Sequence, residues 1–420
     1  MTSTAVQASQ ELSSMYLVLP VPFRLHEGEL WVESQAGNGL DRWAESFSPL
    51  RIAAPVIPES LIPSLAGFTW RKVSELQHAD RLLCDPLPWA YSPKEFAKTY
   101  KTTRATLAEG VRQSRHLQFA IGGTVGDWAA IAALEAIAQK RTYSIHTDRV
   151  EHDLIRKTAI GASLARRLRV AVEAPLMERY HRHVIQHATL GLWHGDDCFR
   201  AYAPWLRKGA NHLIHDVHTK PADLITTQQL TAKVADARTR SGLRVVYAGR
   251  LDAMKAPLEW LASVAEASNR GAELDAIWLG EGPLHDEAFA ERKRLGLEDI
   301  VQYPGFVADR AVLLDHLRSA DVLLFTHITP ESPRILLETL VTGTPMLGYR
   351  NAFAEDLLQG HGGGELVPMH DTAALGTLLA DLSRNREQLV TLMQAAAQNG
   401  QRFTDEAVFA ERAALIRKYA

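Results

Sequence analysis

Two basic residues stand close together in the segment AGRLDAMKAP. Arg250 and Lys255 follow the apolar run LRVVYAG and precede a helical pattern. A guanidinium donates forked hydrogen bonds and an ammonium acts as a point charge, so the pair could hold a diphosphate from two sides. The alternative is a solvated loop that caps the following helix, which basic residues form in many proteins.

A second segment, PESPRILLETLVTGTP at residues 330–345, carries two carboxylates, Glu331 and Glu338. Ser332 fits an N-cap and Pro333 the first helical position, so a helix beginning here would direct its free N–H groups toward an anion. Glu338 could accept hydrogen bonds from a ribose diol, and Glu331 from sugar hydroxyls. The alternative is an exposed helical ion pair between Arg334 and Glu338, at i and i+4.

Three further features could carry chemistry. His146 follows the apolar residues of RTYSIHT, where it is either a functional group at a strand end or a satisfied structural histidine. In YHRHVIQH, three histidines recur without nearby cysteines or carboxylates, which favours a solvated helix face over a metal site. The run HGGG at 361–364 resembles an oxyanion loop, but the chain contains no G-x-S-x-G nucleophile elbow.

From residue 243 onward, short apolar runs alternate with helical patterns. The helix between the first two runs has Leu258, Leu261, Ala262 and Ala265 on one predicted face and ends at Gly271. Repeated strand–helix units predict a parallel, doubly wound sheet. The predicted strands are LRVVYAG (243–249), ELDAIWLG (273–280), DIVQYPGFV (299–307), DVLLFTHI (321–328) and PMLGY (345–349).

The first half shows the same alternation less clearly and predicts a second α/β domain. DWAAIAALEAIAQK (127–140) predicts a helix, residues 205–242 a linker with one helix, and residues 405–420 a terminal helix. The predicted strands are MYLVLPV (15–21), RIAAPVI (51–57), RLLCDPL (81–87), HLQFAIGG (116–123) and RTYSIHT (141–147).

Length and composition limit the classes of protein that fit. The 420 residues are 46% hydrophobic and 23% charged with a net charge of −3, which indicates two or three globular domains and argues against a general nucleic-acid binder. Two cysteines exclude a multi-disulfide framework and a four-cysteine zinc site, and they favour a reducing cytoplasm. The first residues do not read as a signal peptide, and no apolar run is long enough to span a bilayer.

Peripheral membrane contact stays open. Residues 154–183 mix arginine and lysine with leucine, isoleucine and valine, which would suit an anionic membrane surface or an ordinary helix pair.

Several motifs occur together in a recognisable order. VVYAGRLDAMK, IWLGEGP, VQYPGFV, ADVLLFT…PESPRILLETLVTGTPMLGY and GHGGGELVPMHDTAALGTLLADL resemble the family 4 nucleotide-sugar-dependent glycosyltransferases of the GT-B fold across residues 243–400. That resemblance implies two Rossmann-like domains facing across a cleft. Residues 1–225 would form the acceptor-side domain, residues 226–402 would bind the nucleotide sugar, and residues 403–420 would form a helix that returns to the first domain.

The resemblance also implies roles for single residues. Arg250 and Lys255 match the basic pair that neutralises the donor diphosphate, and Glu338 matches the glutamate that contacts the ribose. His146 matches a cleft histidine beside the transferred sugar, and together with Arg250 and Lys255 it forms the predicted catalytic set. The other expected donor-binding residues are Glu331, Ser332, Arg334, Gly280, Gly282, Gly305 and Val307, and Asn38 and Gly39 are expected on the acceptor side.

One departure concerns the glutamates. The family pattern places seven residues between them, whereas Glu331 and Glu338 have six between them, and the family spacing falls on Pro330. Pro333 also replaces a residue that is often glycine, which removes an N–H donor. Whether Glu331 or the Pro330 position serves the sugar end therefore stays open.

The implied activity is transfer of a sugar from a nucleotide diphosphate sugar to a hydroxyl of a glycan, exopolysaccharide or lipid-linked acceptor, with retained configuration. No cofactor, metal or nucleic acid is expected, and the expected location is the cytoplasm, with contact to the inner face of the membrane left open. Two alternatives remain: a non-catalytic GT-B scaffold, and a sugar-nucleotide epimerase or phosphorylase on the same fold.

Overall fold

The chain divides into two compact units, each built on a parallel sheet. A computed structural model describes residues 12–65, 68–215, 217, 219–329 and 333–420. One unit contains the residues up to His215 together with Phe409–Ala420, and the other contains the intervening residues as far as Val408. The N-terminal part of the first unit thus ends at His215, whereas the sequence analysis placed the domain boundary at residue 225.

The first unit is organised around a seven-stranded sheet of order β10-β9-β8-β7-β1-β4-β6, in which every pairing is parallel. A small antiparallel sheet, β2-β3-β5, lies outside it. The strands are β1 (Met15–Val18), β2 (Phe23–His26), β3 (Glu29–Glu33), β4 (Leu50–Pro55), β5 (Trp70–Lys72), β6 (Leu82–Leu87), β7 (His116–Ala120), β8 (Ser144–Thr147), β9 (Leu190–His194) and β10 (Ala210–Ile214).

The helices of this unit connect those strands. They are α1 (Ser34–Ser46), α2 (Pro93–Gln113), α3 (Trp128–Ala138), α4 (Glu151–Thr158), α5 (Leu164–Ile185) and α6 (Gly195–Tyr202). The five strands predicted here and the helix at 127–140 are confirmed, and Asp127 caps α3 by accepting a hydrogen bond from Ala130 N at 2.9 Å. The small sheet, β9 and β10 were not predicted.

The second unit has a six-stranded sheet of order β13-β12-β11-β14-β15-β16, again parallel throughout. Its strands are β11 (Leu243–Ala248), β12 (Leu274–Leu279), β13 (Val301–Gly305), β14 (Val322–Phe325), β15 (Met346–Tyr349) and β16 (Gly364–Val367). The remaining helices are α7 (Thr227–Thr239), α8 (Pro257–Asn269), α9 (His285–Arg294), α10 (Arg310–Ser319), α11 (Arg334–Val341), α12 (Ala352–Leu358), α13 (Thr372–Arg384), α14 (Arg386–Gly400) and α15 (Asp405–Tyr419). The five predicted strands are confirmed, and β16 is additional.

Helix α8 ends as the sequence predicted and buries Leu261 and Ala265 as expected, but it is partly rotated about its axis. Gly271 follows it with φ +82°, a conformation that glycine adopts without strain. Leu258, expected on the buried face, is 40% exposed, whereas Trp260 and Val264 are fully buried. The rotation has a packing reason, since Trp260 Nε1 donates to Leu324 O at 3.0 Å on β14.

Helix α11 begins one residue later than predicted. Its first residue is Arg334, and Pro333 occupies the N-cap position without a side-chain hydrogen bond. Pro333 was expected at the first helical position. The predicted cap, Ser332, and its neighbours Pro330 and Glu331 lie outside the described residues.

The terminal helix α15 belongs to the first unit from Phe409 onward. There the ring of Phe409 packs edge-on against Trp43 of α1 at 5.0 Å. Ala413 and Ile416 are fully buried in the same cluster as Met15 and Leu17 of β1. The apolar side of this helix therefore covers one face of the first sheet.

Candidate active site

The loop after β11 holds both predicted diphosphate residues on a fixed backbone. Asp252 Oδ1 accepts hydrogen bonds from Met254 N at 3.1 Å and Lys255 N at 3.2 Å. The next residue, Ala256, has a left-handed conformation with φ 47°, after which α8 begins. The guanidinium of Arg250 is exposed and forms no hydrogen bond or ion pair within the described residues, so it is available to an anion.

This loop is tied to the segment that follows β14. Thr326 Oγ1 donates to Lys255 O at 2.8 Å, and Ile328 N donates to Met254 O at 3.0 Å. These bonds bring Lys255 to the carboxyl end of β14. Open parallel sheets bind ligands at this edge, so Lys255 lies at the edge where a ligand is expected, and its role stays a prediction.

A buried histidine near Lys255 was missed by sequence reasoning. His327, after β14, is 1% exposed, and its Nε2 lies 2.6 Å from Tyr247 Oη on β11. Burial, and secondarily the charge of Lys255, lower the pKa of His327 to about 3, so the ring is neutral at physiological pH. Its position at the end of the predicted strand DVLLFTHI was the only sequence signal for it.

The three glycines predicted near the donor lie together in one pocket. Its volume is about 490 Å³, and its lining is Gly280, Glu281, Gly282, His285, Tyr303, Pro304 and Gly305. A Cβ at Gly280 would lie 2.0 Å from Gly249 O, and one at Gly282 would lie 2.3 Å from Leu251 O. The absence of side chains thus lets the loop after β12 contact the backbone that carries Arg250.

Aromatic residues form one side of this pocket. The rings of His285 and Phe289 stack at 4.2 Å, and Phe289 contacts Tyr303 at 4.9 Å. Burial raises the pKa of Tyr303, whose hydroxyl has no hydrogen-bond partner in the part of the chain that the structure describes. Val307, predicted to bind the donor, is half-buried and packs on the hydrophobic core of the second unit.

Glu338 has a defined partner in the structure. Its carboxylate is 13% exposed and forms an ion pair with Arg310, the first residue of α10. The other guanidinium nitrogen of Arg310 lies 3.2 Å from Asp223 Oδ2. Arg310 and Asp223 were not predicted, because they are far from Glu338 in sequence. Arg334, the alternative partner, is exposed.

In the first unit, His146 lies near the carboxyl end of β8. Its side chain is half-buried, and its carbonyl accepts a hydrogen bond from Ile121 N at 3.1 Å. After the adjacent strand β7, the amides of Gly122 and Gly123 donate to Asp127 Oδ2 at 3.0 and 2.9 Å. The prediction that His146 lies near the end of a strand is therefore confirmed. Its catalytic role stays a prediction.

A further carboxylate, Glu151, begins α4 just after β8. Its side chain is 13% exposed and lies 3.1 Å from Arg149 Nη2. Burial raises the pKa of this carboxyl group, and the charge of Arg149 opposes the shift. Sequence reasoning passed over Glu151, although it lies only five residues after His146.

Asn38 and Gly39 lie away from the strand ends, within helix α1. The Asn38 amide oxygen accepts a hydrogen bond from Arg71 Nη1 at 3.0 Å. A Cβ at Gly39 would contact the ring of Phe409 at 3.4 Å. Their contacts are those of helix packing, and the acceptor-side role assigned to them stays a prediction.

The histidines of YHRHVIQH do not all face solvent. His181 is 1% exposed, and its Nε2 lies 3.0 Å from Gly123 O, whereas His183 and His187 are exposed neighbours with rings 4.8 Å apart. The predicted solvated face is therefore wrong for His181, because α5 packs this side chain against the loop after β7. Across the described ranges, no group of three or more His, Cys, Asp or Glu side chains could hold a metal ion.

Comparison with protein families gives a match that covers the loops of the second unit. The family described as Glycosyl transferases group 1 matches residues 242–385. Residues 242–385 are a group 1 glycosyltransferase domain. This domain contains Arg250, Lys255, the three pocket glycines, Val307 and Glu338, whereas His146, Asn38 and Gly39 lie outside it.

Curated relatives match parts of this chain. A D-inositol 3-phosphate glycosyltransferase of Kineococcus radiotolerans is 34% identical over 161 residues, which are 33% of this chain and 37% of the relative. A phosphatidyl-myo-inositol mannosyltransferase of Mycobacterium leprae is 29% identical over 244 residues, 52% of this chain and 60% of the relative. The chain thus spans less than two thirds of the length of either relative.

Solved structures extend the likeness to the whole fold. HepE of Anabaena, crystallised in complex with UDP, superposes with a TM-score of 0.57 at 15% identity and covers 97% of this chain and 100% of that one. Sucrose-phosphate synthase of Thermosynechococcus elongatus has a TM-score of 0.54 at 14% identity, with 97% and 98% covered. The predicted GT-B fold class, with two Rossmann-like units, is confirmed.

No helix in the described ranges is both long enough and apolar enough to cross a membrane.

Proposed function

We propose that this protein transfers a sugar from a nucleotide diphosphate sugar to an acceptor hydroxyl with retained anomeric configuration. The observation that carries the proposal is the group 1 domain with its basic loop: Arg250 is exposed, and Lys255 is fixed to the end of β14. HepE, the structural neighbour of highest TM-score cited above, is crystallised with UDP, which supports a nucleoside diphosphate as the bound group.

In the proposed reaction the bond between the anomeric carbon and the diphosphate oxygen breaks. A bond forms between that carbon and the acceptor oxygen on the same face of the sugar, and the released diphosphate takes up the acceptor proton. Arg250 and Lys255 stabilise the charge that develops on the leaving group. The N-terminus of α11 adds peptide N–H groups with a positive dipole end. These groups supply the charge stabilisation without a metal, so transfer should persist after treatment with a chelator.

The binding mode of the donor follows from the pocket. Its nucleoside would occupy the space between the glycine loop and Tyr303, with a ribose hydroxyl directed to Glu338 and the diphosphate over Arg250. The proposed role of His146 is at the transferred sugar, where it could hold a hydroxyl or stabilise positive charge. Ser332, Glu331 and Arg334 would complete the sugar end.

The acceptor class is proposed from the relatives. The proposed acceptor is a hydroxyl of a glycan, an exopolysaccharide or a lipid-linked molecule. One relative is named for an inositol phosphate and another for a phosphatidyl-myo-inositol, and the second name supports the lipid-linked class. The proposed place of action is the cytoplasm, including the inner face of the membrane.

The test begins with thermal shifts of the purified chain in the presence of nucleoside diphosphates and their sugars. The best donor is then incubated with candidate acceptors, and the anomeric configuration of the product is determined by NMR. We expect a donor-dependent product that keeps the configuration of the donor. An inverted product would exclude retention, and interconversion of the donor without acceptor would favour the epimerase alternative.

A non-catalytic scaffold is the second candidate, and one contact favours it. Glu338 is engaged by Arg310, and Pro330 stands where the family spacing expects the other glutamate. A scaffold would bind the nucleotide but would not transfer the sugar to an acceptor. It would also lack the slow transfer of the sugar to water, that is, hydrolysis of the donor. Measurable donor hydrolysis that is lost in Lys255→Ala would exclude it.

A further inference from the structure

Helix α5 of the first unit carries a row of exposed apolar side chains. With Ile160 just before the helix, they recur at every fourth residue, and their exposed fractions are high: Ile160 82%, Leu164 73%, Leu168 71%, Val172 63% and Leu176 60%. We call these five residues the α5 stripe. Soluble monomers rarely leave so many large apolar groups contiguous and exposed, so the stripe indicates a contact surface.

The stripe lies opposite the face that α5 buries in the protein. Val170, Ala174 and Met177 are buried, and the first two pack with Ala159 and Ile155 of the preceding segment. At 100° per residue these positions fall on the other side of the helix from Leu164, Leu168 and Val172. The apolar residues of the stripe are therefore not required by the core of the first unit.

Topology places the stripe beyond the edge of the sheet where His146 lies. His181, near the end of α5, contacts Gly123 O in the loop that follows β7, so this point of the helix is level with the carboxyl ends of the strands. The preceding turns extend past that edge. From Leu164 to Leu176 the stripe is about 18 Å long at 1.5 Å per residue.

Positive charge flanks the stripe. From residue 156 to residue 182 the chain has two acidic residues, Glu173 and Glu178, and seven basic ones: Arg156, Lys157, Arg166, Arg167, Arg169, Arg179 and Arg182. Glu178 pairs with Arg156 and Arg182. Arg166, Arg167 and Arg169 are exposed and form no ion pair within the described residues.

A small pocket opens beside these arginines. Its volume is about 370 Å³, and it is lined by Ile155, Ser163, Ala165, Arg166, Arg169, Val170 and Glu173. The guanidinium groups of Arg166 and Arg169 and the hydroxyl of Ser163 could bind a phosphate group. The carboxylate of Glu173 would then lie at the edge of the pocket, away from the phosphate. The pocket adds a place for a charged headgroup next to the apolar row.

From these observations we infer that the α5 stripe docks the protein on an anionic lipid bilayer. Apolar side chains on one helix face with arginines at its borders are the features by which a helix lies in a membrane interface. A second copy of the chain fits less well, because pairing two stripes would bring two sets of unpaired arginines together. The net charge of the chain is −3, so the attraction is local to this surface. The inference adds to the proposed place of action the surface that docks and the lipid it binds, and it does not depend on the proposed transfer reaction.

Co-sedimentation of the full chain with vesicles tests the inference directly. We expect binding to vesicles of phosphatidylcholine mixed equally with phosphatidylglycerol, and roughly tenfold weaker binding to phosphatidylcholine alone. The double variant Leu164→Gln/Leu168→Gln should bind at least about tenfold more weakly, because two apolar anchors are lost. Leu25→Gln/Leu83→Gln is the matched control, since those leucines are 54% and 52% exposed elsewhere on the same unit.

A second pair of variants tests the contribution of the arginines to vesicle binding. Arg166→Gln/Arg167→Gln/Arg169→Gln should lower binding to the anionic vesicles about tenfold or more and weaken its salt dependence. Lys94→Gln/Lys98→Gln/Lys101→Gln removes the same charge from the exposed face of α2 and should leave binding unchanged.

Two outcomes would overturn the inference. One is equal vesicle binding by the wild type and the Leu164/Leu168 variant. The other is a wild-type oligomer, seen by sedimentation velocity without lipid, that this variant dissociates. Neither measurement requires nucleotide or turnover, so vesicle binding by a protein without transferase activity would reject the proposed function alone.

Discussion

At the scale of single residues, the basic loop offers the most direct test of donor binding. Arg250→Ala or Lys255→Ala should weaken binding of a nucleoside diphosphate by roughly 1.5 to 3 kcal/mol, the range of a hydrogen bond to a charged group. Arg250 is exposed, so its removal should not cost stability. Calorimetric titration measures the effect, with Arg270→Ala as a control because Arg270 pairs with Glu266 on α8. If both loop variants bind the nucleoside diphosphate as tightly as the wild type, this loop does not bind the diphosphate.

His146 tests the contribution of the first unit. His146→Ala should leave nucleotide affinity nearly unchanged and lower kcat by about a hundredfold or more, as for one positioned polar group. Steady-state kinetics with donor and acceptor measures this, and circular dichroism checks the fold. Unchanged turnover would make His146 a structural residue of β8.

The two glutamates are expected to act unequally. Glu338→Gln should weaken binding of the bare nucleotide, because an amide accepts hydrogen bonds from a ribose less strongly and also loses the ion pair with Arg310. Glu331→Gln should spare the bare nucleotide and weaken binding of the nucleotide sugar by about 1 kcal/mol. Titrations with the nucleoside diphosphate that the thermal-shift screen selects and with its sugar donor distinguish the two variants. If Glu331→Gln changes neither the affinity for the bare nucleotide nor that for the nucleotide sugar, only Glu338 of this segment binds the donor.

At the scale of elements, the close contact between the loops after β11 and β12 explains the glycines. Gly282→Ala would place a Cβ 2.3 Å from Leu251 O, so the loop must move. We expect a loss of roughly 1 to 3 kcal/mol in the free energy of unfolding, with weaker nucleotide binding. Gly242→Ala is the control, because its nearest neighbour is 3.7 Å away and neither glycine has a positive φ. Denaturant unfolding should show a clear loss only for Gly282→Ala.

Arg310 links three elements of the second unit, since α10 provides the guanidinium, α11 provides Glu338, and the segment before α7 provides Asp223. The side chain of Arg310 is 41% exposed, so each surface contact alone contributes little to stability. Its greater effect is expected on the orientation of Glu338, because an ion pair that is present before the ligand arrives fixes one carboxylate rotamer.

At the scale of the whole molecule, a buried lysine makes stability depend on pH. Lys233 is 7% exposed, and its ammonium donates to Thr344 Oγ1. Burial lowers the pKa of Lys233 to about 7. The charge of Asp321 raises this pKa, and the charges of Arg244 and Arg240 lower it further. Between about pH 7 and the ordinary lysine pKa, the unfolded chain binds a proton that the folded chain lacks. Stability therefore rises with pH across this window.

Lys233→Met removes the titrating group while keeping most of its volume. The free energy of unfolding of the wild type, minus that of the variant, should increase between about pH 7 and about pH 9.5. Urea denaturation at both pH values gives this difference, in which other titrating groups cancel. A difference that stays constant would show that Lys233 keeps its charge in the folded protein.

The order of apolar runs and helical patterns along the chain predicted the layers of both units. Runs of valine, leucine and isoleucine separated by helical patterns predict parallel strands that are buried on both faces, and all ten predicted strands are present. It also placed Arg250, Lys255, Gly280 and Gly282 on loops after strands, because these positions depend on local order along the chain, whereas Gly305 is the last residue of β13. The short strands β2, β3 and β5 were not predicted from the sequence, because they have little apolar periodicity.

The contacts between side chains that are distant in sequence could be read from the folded chain alone. Arg310 pairs with Glu338, and Tyr247 with His327, through contacts between separate elements that no local spacing specifies. The orientation of α5 was equally hidden, since apolar residues occur all around it and periodicity cannot tell which face the core covers. Packing buries Val170 and Ala174 and leaves Leu164 and Leu168 outside, because the protein supplies neighbours on one side of this helix alone.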